Sequence, residues 1–98
     1  MTKYLVERYL PGMTSEQLAA AAGSAKRTTE AMRREGTPVQ YLRSTFIPGE
    51  EKCFCLFEGP SAEVVRTAND RAELPYERIV EAQHIAADDL GQRAGRAE

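Results

Sequence analysis

Glu7, Glu81 and His84 come closest to a reactive set in this chain. Glu7 stands within Tyr4-Leu5-Val6-Glu7-Arg8-Tyr9-Leu10, a run that reads as a strand, and alternation puts it on one face with Leu5 and Tyr9. A carboxylate among such neighbours must be ion-paired, protonated or lining a wet cavity. It is therefore either a ligand contact or general acid/base, or the partner of a nearby cation such as Arg43 or Arg8. Glu81 falls within Arg78 to Ala86, which reads as the last strand, on one face with Ile79, Gln83 and Ile85. If that strand runs antiparallel beside the first, Glu7 and Glu81 approach each other. Coupled carboxylates of this kind suit proton transfer or metal binding. Two solvated carboxylates at a strand edge are the simpler alternative.

His84 is the single histidine. Imidazole is a favoured ligand of late divalent metals and titrates near neutrality. One histidine needs help from Asp88, Asp89, the two glutamates or a symmetry mate; without it, His84 is a surface or packing residue. Cys53 and Cys55 share a strand face but lack zinc-site spacing, so they read as buried, inert thiols. Tyr41, Arg43 and Ser44 either line a cavity mouth or serve ordinary strand pairing. The catalytic candidates are thus Glu7 and Arg43. The ligand-contact candidates are Glu7, Tyr9, Tyr41, Arg43 and Glu81, and the metal-ligand candidates are His84 and Glu81.

The elements that must position these residues are well signalled. Pro11-Gly12 ends the first strand, and Thr14 with Gln17 three residues later forms a capping-box pattern, flanked by Met13 and Leu18 as a hydrophobic staple. Leu18, Ala22, Ala25, Thr29 and Met32 recur at helical spacing, and Gly36 supplies a stop. Val39 to Ile47 and Lys52 to Phe57 read as strands joined by a short turn over Pro48-Gly49-Glu50-Glu51. Ser61 caps a second helix with Val64, Val65, Ala68 and Ala72 on its buried stripe. The order strand, helix, strand, strand, helix, strand is the split βαβ pattern. It predicts an α+β, ferredoxin-like βαββαβ sandwich: a four-stranded antiparallel sheet with strands one and three central and both helices on one face. Residues 1–87 form the domain, and residues 88–98 a polar tail without apolar periodicity, expected to be flexible.

Helices on one face leave the other open. Small residues such as Val6, Cys55, Val80 and Ala82 suit the space under the helices, which assigns Leu5, Tyr9, Phe54, Leu56, Ile79 and Ile85 to the open face. A large apolar patch of this kind calls for cover, and a second copy packed sheet to sheet is the simplest, giving a homodimer. The formal charge of −2 and the interleaving of acids with bases argue against nucleic acid as a partner. No apolar run long enough to span a membrane is present, and the start of the chain lacks the pattern of a secretory leader, so a cytoplasmic location is expected.

Three segments carry a family resemblance: Tyr4-Leu5-Val6-Glu7-Arg8, Phe54-Cys55-Leu56-Phe57-Glu58-Gly59-Pro60-Ser61, and Leu74-Pro75 with Arg78-Ile79-Val80-Glu81-Ala82. Through them Lys3 to Ala87 resembles the small bacterial proteins of the DUF4242 family, some described as nickel-binding. The resemblance implies a ferredoxin-like fold, a homodimer of the dimeric α+β barrel type, and a divalent metal such as Ni2+, with Glu7 and Glu81 matching the family pattern best. Two functions then stand side by side. One is a small dimeric protein binding a divalent metal through Glu7, Glu81 and His84. The other is a small-molecule enzyme or ligand carrier with a cavity beside Glu7, in which Tyr9, Tyr41 and Phe54 pack on the ligand while Glu7 and Arg43 orient or protonate it.

Overall fold

Thr14 opens the long helix by reciprocal capping. Its hydroxyl accepts the Gln17 N–H at 3.1 Å, and the Gln17 side-chain oxygen accepts the Thr14 N–H at 2.9 Å. The computed structural model describes residues 1–90. Its elements are β1 (Thr2–Tyr9), α1 (Ser15–Arg34), β2 (Gln40–Ile47), β3 (Lys52–Gly59), α2 (Ala62–Arg71) and β4 (Arg78–Ala82). α1 stops where Gly36 takes φ +100°, a left-handed conformation that costs glycine little. Ser61 caps α2 by accepting the Val64 N–H at 3.2 Å.

The sheet runs β2-β3-β1-β4 with every pairing antiparallel, so β1 and β3 are central as expected. Both helices lie on one face. The core sits between them and the sheet, where Tyr4, Val6 and Phe57 meet Ala25, Met32, Val65 and Ala68. Val6, Val39 and Val65 are fully buried. Among the described residues no helix is long and apolar enough to cross a membrane.

The last strand departs from expectation in two ways. It ends at Ala82, so Gln83, His84 and Ile85 lie beyond it. Its register pairs Val6 with Ile79 and Leu5 with Val80. Ile79 is thereby under the helices, packed on the core, while Val80 and Ala82 face the open side. Residue size misled the assignment, because an edge strand beneath α2 has room for an isoleucine, and a shift of one residue exchanges the faces. Beyond β4, residues 87–90 form one helical turn. The rest of the expected flexible tail, residues 91–98, lies outside the described residues.

Candidate functional site

Strict alternation along β1 and β3 sends Tyr4, Val6 and Arg8, with Cys53, Cys55 and Phe57, to the helix side. β2 breaks alternation. Its pairing with β3 skips a residue between Tyr41 and Arg43, leaving Leu42 as a bulge. Tyr41 therefore faces the helices opposite Phe57, whereas Arg43, two positions on, faces the open side opposite Leu56.

Between α1 and the sheet lies a cavity of about 300 Å³, lined by Arg8, Leu18, Ala22, Tyr41, Phe46 and Cys53 among others. The small residues of α1 leave this space. A chain of polar contacts runs along its floor: Tyr41 Oη to Ser44 Oγ at 2.7 Å, Ser44 Oγ to Cys55 Sγ at 2.9 Å, and Cys55 Sγ to Cys53 Sγ at 3.8 Å. Burial, reinforced by Cys55, pushes the Cys53 thiol up to about 11. Burial also raises the Tyr41 phenol. Both groups therefore hold their protons near neutrality, and Cys53 is not an activated nucleophile.

Arg8, only 3% exposed, reaches across this space. Its Nη2 donates to Asn69 Oδ1 at 2.6 Å, its Nη1 to the Pro75 carbonyl at 3.1 Å, and its Nε to Cys55 Sγ at 3.3 Å. Asn69 is held for this role by its own Nδ2, which donates to the Val65 carbonyl at 2.8 Å.

The open face is organised by ion pairs and by the chain leaving β4. Glu7 accepts from Arg78 Nε at 2.7 Å; its side chain is 14% exposed and that of Arg78 63%. Arg43 Nη2 lies 2.7 Å from His84 Nδ1. Arg43 is on β2 and His84 follows β4, at opposite edges of a sheet roughly 14 Å wide at the usual strand spacing. The contact requires the chain after Ala82 to turn back over the open face. There Gln83 and His84 line a hollow of about 180 Å³ together with Leu5, Phe54 and Leu56. Leu56 is only 6% exposed as a result, whereas Tyr9 at the far end of β1 is 49% exposed.

The structure thus separates the candidates. Glu7 and Glu81 lie on opposite faces, since Glu81 pairs with Tyr4 on the helix side while Glu7 pairs with Arg78 on the open side. They are not a coupled pair. Glu7 does pair with a cation, but with Arg78 rather than Arg43 or Arg8. Arg43 and Glu7 share the open face yet engage different partners. Tyr41 lines the helix-side cavity; Tyr9, Phe54, Glu7 and Arg43 do not, so the expected ligand set is split by the sheet. Glu81 and His84 border one shallow hollow beside Lys3. Sequence reasoning passed over Arg8 and Asn69. The signal for Arg8 was present, because assigning Val6 to the helix side commits Arg8 to it as well. Nothing in the sequence singles out Asn69.

The described residues of a single chain do not form a nickel site. Among the described residues no group of three or more His, Cys, Asp and Glu side chains stands close enough to hold a metal, and His84 Nδ1 is occupied by Arg43. The family described as nickel responsive protein SCO4226-like matches residues 4–82. The crystal structure of SCO4226 from Streptomyces coelicolor A3(2) is similar with a TM-score of 0.69 and 26% identity, covering 86% of this chain and 99% of that chain. No curated protein matches.

Proposed function

Because the chain belongs to the nickel-responsive, SCO4226-like family, we propose that it is a small homodimeric binding protein that takes a divalent metal such as nickel between its subunits. The observation that carries this reading is His84, the single imidazole, drawn back over the open sheet face where a second copy would pack. The described residues of one protomer bring together too few donors for a metal, and a second copy doubles them. Exposed apolar side chains supply the reason to pair. Ile47 (36%) and Tyr9 (49%) lie on the open face, and Ile85 (64%) follows β4. A metal on either ring nitrogen of His84 needs Nδ1 released from Arg43, or protonated, in which state it no longer accepts from the guanidinium. Calorimetric titration of the full chain with nickel, zinc and copper, alongside light scattering, tests the proposal. Expected are a dimer mass, nickel binding lost in His84→Ala, and tighter binding in Arg43→Ala. A monomer mass, or binding unchanged in His84→Ala, overturns it.

A further inference from the structure

Among the described residues, Arg8 is a guanidinium buried without an ion-pair partner. Arg8 is 3% exposed, and its three acceptors, an amide oxygen, a carbonyl oxygen and a thiol sulfur, are all neutral groups. None of the ion pairs among the described residues includes it. Arginine presents five N–H donors, so these three hydrogen bonds leave one N–H on Nη1 and one on Nη2 without an acceptor among the described residues. Buried charges are ordinarily paired, because desolvating an ion is costly when nothing compensates it. Arg8 also borders the 300 Å³ cavity, and among the described residues it is the only charged one in that lining, which otherwise consists of apolar side chains, Tyr41, Ser44 and the two thiols.

We propose that this cavity binds a small organic monoanion, a carboxylate carried on an apolar body, with Arg8 as the partner of its head group. A planar guanidinium edge matches a carboxylate in charge and geometry. One cation and no second basic residue suit a single negative charge and disfavour a phosphate dianion. The walls formed by Leu18, Ala22 and Phe46 accept an apolar body, and the space lies at the lower end of small-ligand pockets, about 300–1,000 Å³. The Tyr41 and Ser44 hydroxyls, protonated and already 2.7 Å apart, offer the polar contacts that orient such a guest. The site lies on the face of the sheet opposite His84 and requires neither a metal nor a second copy.

The test uses the full chain without metal. Octanoate and phenylacetate are the probes, their uncharged amides the matched controls, and inorganic phosphate the test for a bare anion site. Binding is followed by amide chemical shifts and calorimetry. The acids should bind about thirtyfold or more tightly than their amides. They should shift resonances of α1 and of Tyr41, bind as well to His84→Ala as to wild type, and fail to bind Arg8→Met. Equal binding of acid and amide, no binding of either acid, preference for phosphate, or full binding by Arg8→Met each overturns the proposal. The acid-against-amide comparison is made on wild type alone and so decides the matter if Arg8→Met does not fold; Ala22→Leu, which fills the cavity from the helix side, should then weaken acid binding.

Discussion

Arg8 and Glu7 are adjacent in β1, and the sheet treats their charges in opposite ways. Glu7 emerges on the open face, where it meets a largely solvated Arg78. Arg8 is enclosed on the helix side and bonded to neutral groups, chiefly Asn69. The open face thus holds Glu7 and Arg78 as a pair near water, where such a pair costs little and contributes little. The helix face holds one charge in apolar surroundings, where its placement is expensive and is sustained by a second residue ordered for the purpose. A polar group retained at that cost is a better guide to function than a pair of ions at a rim.

The largest expected effect tests whether the two faces differ in burial at all. Phe57 and Phe54 occupy the same strand, the first 1% exposed against the helices and the second half-buried on the open side. Phe57→Ala should lower unfolding free energy by about 4 kcal/mol in urea denaturation, and Phe54→Ala by about half as much. Equal losses would erase the distinction, showing the open face to be covered as deeply as the core.

Next is Arg8 itself. Arg8→Ala should cost about 3 kcal/mol, because the Asn69 Oδ1 and Pro75 carbonyl lose their donor. Combining Arg8→Met with Asn69→Leu should restore most of that stability, since replacing a whole buried polar set by apolar groups is often neutral. A double variant as unstable as Arg8→Ala would mean that the guanidinium is needed for the fold.

On the open face, Glu7→Gln should cost less than about 1 kcal/mol, because its partner is exposed to solvent. A loss near 3 kcal/mol would place the pair in a buried interface of the assembled protein.

The last effect is confined to alkaline pH, where the cavity floor should respond. Folded Cys53 keeps its proton up to about 11, against 9.0 for the ordinary thiol. Between those values the unfolded chain has released a proton that the folded chain retains, so stability falls as pH rises through that window and is unaffected below it. Thermal melts from pH 8 to pH 11 should show this decline, reduced in Cys53→Val. A pH-independent melting temperature would mean that the thiol is as accessible as one on the surface.

How far the sequence foretold this molecule follows from the same physics. The capping box at Thr14, the spacing of Ala25, Thr29 and Met32, and the stops at Pro11-Gly12 and Gly36 are local signals, and the helices, strand order and one-sided layering follow from them. Alternation placed Val6, Cys55, Leu5 and Phe54 correctly because β1 and β3 are regular and central. It failed for Ile79 and Val80, where the reading turned on side-chain size in an edge strand, and the bulge that parts Tyr41 from Arg43 has no signal in the sequence. The site was less legible than the fold. Which cation meets Glu7, and that His84 returns to Arg43 across the sheet, depend on register and on a turn after Ala82 that no local pattern encodes.

The bulge at Leu42 also bears on how this chain can change its length. Losing a codon elsewhere in β2 would turn every residue on one side of the loss over to the wrong face. Losing Leu42 would leave Tyr41 opposite Phe57 and Arg43 opposite Leu56, with ordinary pairing between them. β2 therefore contains one position where a deletion is tolerated without moving any cavity or open-face residue. Among relatives that differ in length here, the gap belongs at that position; placed one residue to either side, it would equate side chains that never share the same surroundings.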